Sequence, residues 1–237
     1  MLLSVLVPFY NEKNTLELCV HDISKYLDSR PFESELILID DGSTDGSADI
    51  ARQLCAIYAR VKVVRHERNL GKGAAIKSGI EQARGLYIGY LDTDLSTKPD
   101  TFDQALAKLD VRTLVFASRS HGDSFITKQQ PLFRVIAGKL FNFCIRWMLD
   151  LPYRDTQCGF KAFHKDVKPV ALSVMSDGWA FDAELLYRAK QAGLSLGELP
   201  VVWQHHDESR VKLSDAPRIY GELKRIKKQR TLPPSRT

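Results

Sequence analysis

Three strongly apolar runs constrain the fold of this chain more than any other feature. The runs cover residues 2–7, 35–39 and 86–91, and segments with helical periodicity lie between them. Strands without regular polar alternation are typical of parallel sheets, because helices cover both faces of such sheets. We therefore predict an α/β fold with a mostly parallel central sheet, helices on both faces, and a C-terminal elaboration of helices and loops.

Polar side chains follow each of these runs. Residues 10–12 follow the first run, Asp40 and Asp41 follow the second, and Asp92 and Asp94 follow the third. Ligands of open α/β sheets bind at the carboxyl ends of the strands, where neighbouring carboxylates would repel without a cation. Two acids on the same side of an extended segment can hold a hard divalent cation that also binds phosphate. Alternatively, such acids lie in a solvated turn or cap a helix, as Asp40 and Asp41 could.

Cysteine spacing and hydropathy narrow the class of protein. The four cysteines are scattered, without a C-x-x-C pair, and the residues after Met1 have the pattern of a strand rather than of a cleavable signal. No apolar stretch is long enough to span a bilayer. We predict a reduced, cytoplasmic protein without structural disulfides.

The C-terminal residues are unusually basic for a chain with a net charge of +5. Residues 218–237 contain seven Lys or Arg and a single acid, Glu222. A solvated helix end or a disordered terminus is the simpler interpretation. The alternative is attraction to anionic lipid, worth about 1 kcal/mol per cation near the surface. Nucleic acid is not expected, because the tail lacks the interleaved aromatic residues of a stacking platform.

Six short motifs carry a resemblance to a known family. They are Val7–Glu12, Ile39–Gly46, Asn69–Gly73, Asp92–Asp94, Arg154–Lys161 and Gly178–Leu185. The first four resemble the family 2 glycosyltransferases with the GT-A fold. The last two resemble their polyprenyl-phosphate branch, most closely the dolichyl-phosphate β-glucosyltransferases, with the mannose synthases as relatives. The resemblance implies one catalytic domain at 1–215, divided into a nucleotide-sugar half (1–118) and an acceptor half (119–215), before a basic tail at 216–237.

The resemblance implies a site for a nucleotide diphosphate sugar. Asp92 and Asp94 would hold Mg²⁺ or Mn²⁺ against the diphosphate, which accumulates negative charge as it leaves. Asp41 would read the base, and Arg119 would contact phosphate. The other residues expected in this site are Pro8, Tyr10, Glu12, Ile39, Lys72, Thr93 and Arg210. A P-loop at 69–73 is discounted, because the segment lacks the G-x-x-x-x-G-K-[ST] pattern.

The second half is expected to bind the acceptor. The resemblance implies that Arg134 binds the acceptor phosphate, although Gly138 stands where the family tends to have a serine. Arg134 completes the implied catalytic set with Asp92, Asp94 and Arg119. Polar residues that could contact sugar or acceptor are Asp155, Gln157, Lys161, Asp182 and Glu184. Asp182 and Glu184 equally suit the first turn of a helix, where acids interact with the helix dipole.

Residues 133–151 have the pattern of a helix with two contrasting stripes. The apolar stripe comprises Phe133, Ile136, Leu140, Cys144, Trp147 and Leu151, and the polar stripe comprises Arg134, Gly138, Asn142 and Arg146. This pattern suits a helix at a membrane interface, and it suits equally a helix that packs on a core. The protein would reach lipid through this helix, the basic tail or a membrane-anchored partner.

These implications favour inverting, metal-dependent transfer of glucose from UDP-glucose to a polyprenyl phosphate at the cytosolic membrane face. A phosphate acceptor is already anionic, so in-line displacement needs no strong general base. Three alternatives stay open: GDP-mannose as donor, transfer to a saccharide hydroxyl with Asp182 or Glu184 as base, and an inactive nucleotide-sugar-binding subunit. Gln204 stands where the mannose synthases have an arginine, which favours the glucosyl branch.

Overall fold

The computed structural model describes residues 1–128, 142–178, 180–204 and 216–228. The strands are β1 (Leu3–Phe9), β2 (Ser34–Asp40), β3 (Val61–Arg65), β4 (Tyr87–Tyr90), β5 (Thr113–Ala117), β6 (Phe125–Lys128), β7 (Lys161–His164), β8 (Ser195–Leu199) and β9 (Val202–Gln204). The helices are α1 (Leu16–Asp28), α2 (Ser47–Ile57), α3 (Lys72–Gln82), α4 (Thr101–Lys108), α5 (142–149), α6 (Lys168–Leu172), α7 (Phe181–Gln191) and α8 (Ala216–Lys228).

The central sheet has the strand order β3-β2-β1-β4-β7-β5-β8. Its neighbouring strands are parallel, except that β7 is inserted antiparallel between β4 and β5. The predicted α/β class with a mostly parallel sheet is therefore confirmed. The register pairs Tyr90 with Lys161, so the segment that leads into β7 lies beside the segment that leaves β4.

Alternating residues of β1 separate the two layers of helices. Val5 and Val7 pack with residues of α1, α2 and α4, whereas Leu6 packs with residues of α3, α5, α6, α7 and α8. Successive side chains of a strand point to opposite faces. Helices therefore cover both faces of the sheet, as predicted.

The apolar segment from Leu199 to Trp203 has the pattern of one strand, but it does not form one. In the structure β8 ends at Leu199, and β9 begins at Val202 and pairs with β6 in a separate two-stranded sheet. Pro200 lies between them and has no N–H group for a ladder hydrogen bond. The chain therefore leaves the central sheet here and forms a second, smaller one.

In the described part of 133–151, the predicted apolar stripe does not pack on the core as one face, so the core-packing alternative is wrong for that stripe. Ile145, Met148 and Leu149 are buried on the core side of α5, whereas Trp147 is 74% exposed, and Leu151 is buried beyond the helix end. The positions at 133–141 lie outside the described residues. Within the described part of the chain, no helix has the length and apolar character needed to cross a membrane.

Candidate active site

Asp92 and Asp94 lie in a turn that begins directly after β4. The Leu95 amide donates to the Asp92 carbonyl oxygen at 3.2 Å, and the Ser96 amide donates to Asp94 Oδ1 at 2.9 Å. The two acids therefore lie in a turn, which is the alternative interpretation, and not on an extended segment. Asp94 is exposed, and the Asp92 side chain is 40% exposed, so solvent reaches both carboxylates.

Lys72, the first residue of α3, brings a positive charge to this turn. Its Nζ atom lies 2.7 Å from Asp92 Oδ1 and 3.5 Å from Asp182 Oδ2. Burial acts to lower the pKa of Lys72, but the carboxylates of Asp182 and Asp92 hold that pKa above the usual lysine value. Burial and the adjacent Asp94 raise the pKa of Asp92, and Lys72 opposes this shift. The ammonium group of Lys72 is therefore charged and faces the acidic turn.

Asp182, in the first turn of α7, anchors Lys72 from the interior and is only 2% exposed. The Tyr90 hydroxyl donates to Asp182 Oδ1 at 2.6 Å, and the ammonium group of Lys161 pairs with the same oxygen. Lys161 is completely buried and also donates to the carbonyl oxygens of Thr156 at 3.1 Å and Cys158 at 2.6 Å. Since three acceptors satisfy its three N–H groups, Lys161 supports Asp182 and has no donor left for a sugar. We call Lys72, Asp92, Asp94, Lys161 and Asp182 the Asp92 cluster.

Arg119 and Asp155 form a bidentate ion pair near the Asp92 cluster. Arg119 Nε lies 2.7 Å from Asp155 Oδ2, Nη2 lies 2.8 Å from Oδ1, and the Arg119 amide also donates to Oδ2 at 3.0 Å. Burial acts to raise the pKa of Asp155, but Arg119 outweighs it and holds this pKa below the usual range. The Arg119 side chain is 27% exposed. Asp155 therefore fixes a guanidinium group that still reaches solvent.

Gln157 lies two residues beyond Asp155, and its amide donates to Asp155 Oδ1 at 3.2 Å. Its side-chain Nε2 atom is buried and has no hydrogen-bond partner among the described residues. A buried donor of this kind is costly unless a ligand or water accepts from it. Gln157 therefore remains a candidate contact to sugar or acceptor.

Asp41 holds the loop that leads into α3. Its Oδ1 atom accepts from the Leu70 amide at 2.9 Å, and its Oδ2 atom accepts from the Gly71 amide at 2.8 Å. His66 Nδ1 lies 2.8 Å from Asp41 Oδ1, and His66 Nε2 lies 2.9 Å from Ser78 Oγ in α3. Asp41 thus positions the start of the helix that carries Lys72, and its contact with a base stays a prediction.

Neither Asp40 nor Asp41 caps α2. Asp40 Oδ1 accepts from the Ser43 amide at 2.8 Å, and the N-cap residue of α2 is Gly46, without a side-chain cap. The helix-cap interpretation of Asp40 and Asp41 is therefore wrong, because both carboxylates bind backbone or side chains of other segments.

The other residues expected at the nucleotide lie close to the same sheet edge. Pro8 and Ile39 are buried within β1 and β2, which pair in parallel with Pro8 opposite Ile39. Tyr10 and Glu12 follow β1 and are half-buried, and Thr93 is 8% exposed between the two acids. Backbone and side chains around these positions could border a nucleotide.

Glu184 has the environment of a structural residue. It is fully buried, and it accepts hydrogen bonds from the amides of Met175 at 3.1 Å and Ser176 at 2.9 Å. Arg188 Nε donates to Glu184 Oε1 at 2.6 Å. This geometry favours a role in tying α7 to the preceding loop over contact with a sugar.

Two predicted site residues, Arg134 and Arg210, lie outside the described residues, as do Gly138 and the tail beyond residue 228. Their roles stay predictions from the resemblance.

Asp92 and Asp94 fit a site in which two carboxylates and the diphosphate of the ligand together hold a divalent ion. No group of three or more His, Cys, Asp or Glu side chains suited to a metal occurs in the described ranges, so a closed protein cage is not formed there. Mg²⁺ and similar ions are commonly held by one or two carboxylates together with substrate phosphates. Asp92 and Asp94 supply such a pair on a solvent-accessible turn.

The sequence pattern missed three residues that shape this site. Tyr90 and His66 act through Asp182 and Asp41, and these pairs are far apart in the sequence. Gly159 borders Asp92 so closely that a Cβ atom at this position would lie 1.8 Å from Asp92 Oδ2. The only hint in the sequence that another residue approaches the backbone closely at this position is the glycine itself, within the 154–161 motif.

Comparison with known proteins defines the class. The family described as Glycosyl transferase family 2 matches residues 4–167, so the chain belongs to this family and is a glycosyltransferase. Human dolichyl-phosphate beta-glucosyltransferase is 34% identical over 224 residues, which cover 88% of this chain and 69% of the human protein. A dolichyl-phosphate beta-glucosyltransferase of Trichomonas vaginalis is 30% identical over 236 residues, with coverages of 94% and 72%.

A solved structure establishes the fold class. The glucosyl-3-phosphoglycerate synthase of Mycobacterium tuberculosis, in complex with Mn²⁺, UDP and glucosyl-3-phosphoglycerate, has a TM-score of 0.68 at 19% sequence identity. The match covers 95% of this chain and 78% of that chain. The protein therefore has the GT-A fold.

Proposed function

We propose that the protein transfers glucose from UDP-glucose to dolichyl phosphate or a related polyprenyl phosphate, with inversion at the anomeric carbon. The observation that carries the proposal is the Asp92 cluster at the carboxyl end of β4, in a chain similar to proteins named dolichyl-phosphate beta-glucosyltransferase. The GDP-mannose alternative has no such support among these relatives.

The donor would bind at the exposed end of the Asp92 cluster. Asp92 and Asp94 would hold Mg²⁺ or Mn²⁺, and the bound ion would neutralise charge on the leaving diphosphate. Lys72 adds a positive charge at the same place, because its ammonium group faces Asp92. The M. tuberculosis structure that contains both Mn²⁺ and UDP supports a divalent ion in this fold.

The acid–base groups of the site suit a phosphate acceptor better than a saccharide hydroxyl. A hydroxyl needs a base to remove its proton, whereas a phosphate monoester is already anionic. Burial acts to raise the pKa of Asp182, but Lys161 and Lys72 hold it below the usual range, which makes Asp182 a poor base. Arg119, by contrast, presents a fixed and partly exposed guanidinium group that suits a phosphate.

A surface formed by α5 and α8 supports attachment to a membrane at its cytosolic face. Phe143 and Trp147 of α5 are 61% and 74% exposed, and Tyr220 of α8 is 47% exposed. Lys227 Nζ lies 5.9 Å from the centre of the Trp147 ring, and Lys224 Nζ lies 4.6 Å from that of Tyr220. Exposed aromatic rings beside lysines are typical of helices that lie in the headgroup region. We call these five residues the α5–α8 surface.

The test is a transfer assay with the purified protein. Labelled UDP-glucose and GDP-mannose are each supplied with dolichyl phosphate in detergent, with Mn²⁺ or with a chelator. We expect labelled lipid from UDP-glucose only, in the presence of metal, and β-linked glucose by NMR. If only GDP-mannose serves as donor, mannosyl transfer replaces glucosyl transfer as the proposed activity. If an Asp94→Asn variant keeps full activity, the proposed metal site at Asp92 and Asp94 is contradicted.

A further inference from the structure

Charges of alternating sign run from the interior of the fold to the exposed turn after β4. Lys161 pairs with Asp182, Asp182 lies 3.5 Å from Lys72, and Lys72 lies 2.7 Å from Asp92. Exposure rises along this series, from 0% for Lys161 and 2% for the Asp182 side chain to 17% for Lys72 and 40% for Asp92. The buried end is fixed and the exposed end is open to ligands.

The buried end cannot move without a large cost. Tyr90 and Lys161 hold Asp182 by buried hydrogen bonds, and the carbonyl oxygens of the segment before β7 hold Lys161 in turn. Breaking a buried ion pair leaves an uncompensated charge. Lys72 is different, because its flexible side chain joins Asp182 to Asp92 across the boundary with solvent. Its ammonium group therefore has one fixed carboxylate behind it and one accessible carboxylate in front.

We propose that Lys72 is a resident cation of the donor site, held in place by Asp182. In the ligand-free protein Lys72 neutralises Asp92. When a divalent ion binds Asp92 and Asp94, Lys72 gives up Asp92, stays close to Asp182 and turns its ammonium group to the diphosphate. Asp182 is a positioning residue in this scheme, and Lys72 is a ligand-binding residue. The inference deepens the proposed function and rests on the part of it that places an ion and a diphosphate at this turn.

In this scheme, removing the Lys72 charge changes the affinities for the metal ion and for the diphosphate in opposite directions. Without Lys72, Asp92 is no longer neutralised, and a dication no longer meets a positive charge a few ångströms away. Binding of the metal alone should therefore become tighter by about tenfold. The diphosphate loses a cationic partner, so UDP should bind more weakly at saturating metal, also by about tenfold. A variant that is merely misfolded would bind both ligands more weakly.

The experiment measures metal and nucleotide binding rather than transfer. Free Mn²⁺ is titrated by electron spin resonance against the full-length protein without nucleotide, and UDP is titrated by calorimetry at saturating Mn²⁺. The variants are Lys72→Met, which removes the charge, and Lys72→Arg, which keeps it. Lys77→Met is the matched control, because Lys77 lies on the same helix and pairs with Asp177 at 2.6 Å instead.

We expect Lys72→Met to bind Mn²⁺ more tightly and UDP more weakly than the unmodified protein. Lys72→Arg and Lys77→Met should leave Mn²⁺ affinity within about threefold, since they change no charge at Asp92. Adding Asp92→Asn to Lys72→Met should abolish the gain. Equal Mn²⁺ affinities for the unmodified protein and Lys72→Met, including no measurable binding by either, would overturn the proposal. If the Mn²⁺ titrations give the expected result but the glucosyl transfer assay fails, the role of Lys72 stands and the proposed acceptor or sugar is wrong.

Discussion

At the scale of single residues, the missing side chain of Gly159 decides where Asp92 can sit. A Cβ atom built at Gly159 would lie 1.8 Å from Asp92 Oδ2 and 2.4 Å from its carboxyl carbon. Gly159→Ala should therefore displace the Asp92 carboxylate away from β7. Because Asp92 is proposed to hold the ion, we expect Mn²⁺-dependent UDP affinity to fall by about tenfold, or about 1.4 kcal/mol.

Gly122→Ala provides the matched control for this change. Nothing lies within 4 Å of a Cβ atom built at Gly122, and its backbone does not require glycine. Calorimetric titration of UDP with Mn²⁺ compares the two variants, and thermal unfolding reports whether each is folded. Unchanged UDP affinity in a folded Gly159→Ala protein would show that the position of Asp92 does not govern donor binding.

The roles of single residues were only partly predictable from the sequence. The acids at 92 and 94 could be located, because they directly follow an apolar run. Lys161 and Asp155 could be recognised as unusual polar residues, but their partners could not. Lys161 and Asp182 are 21 positions apart, and Asp155 and Arg119 are 36 apart, so only the folded chain reveals that these residues satisfy each other.

At the scale of elements, strands with strong local signals were predicted and those that depend on tertiary pairing were not. The apolar runs that became β1, β2 and β4 carry their own signal in a parallel sheet. By contrast, β7 has only four residues and lies antiparallel to both of its neighbours, β4 and β5. Its place depends on pairing with β4 and β5, which no local pattern encodes. The turn after β4 could be given only as an alternative for a similar reason, since the sequence does not show whether the residues that follow a strand stay extended.

The C-terminal helix α8 is anchored in the core, although its sequence is dominated by basic residues. Leu223 and Ile226 are 1% and 4% exposed and belong to the same core as α3 and α7. Leu223→Ala should therefore lower the free energy of unfolding by about 3 kcal/mol, within the range for buried leucines. Urea unfolding followed by circular dichroism measures the change.

Arg225→Ala is the matched control on the same helix, because Arg225 is exposed. It should change the free energy of unfolding by less than about 0.5 kcal/mol. A Leu223→Ala protein as stable as the Arg225→Ala protein would mean that α8 does not contribute to the core in solution.

At the scale of the whole molecule, the α5–α8 surface places aromatic rings and lysines on one side of the enzyme. Reversing Lys224 and Lys227 to Glu should weaken binding to vesicles that contain phosphatidylserine by at least about tenfold, since each cation contributes about 1 kcal/mol near an anionic surface. The control replaces the exposed Lys25 and Lys108 by Glu, which changes the net charge by the same amount. These two residues lie on α1 and α4. Sedimentation with vesicles measures binding at low and high salt, with phosphatidylcholine vesicles as the uncharged reference.

Equal losses in the two double variants would mean that net charge, and not the α5–α8 surface, directs the protein to lipid. A loss specific to Lys224 and Lys227 would mean that the α5–α8 surface docks the enzyme on anionic lipid, which is the position that the proposed transfer to a membrane-embedded acceptor requires.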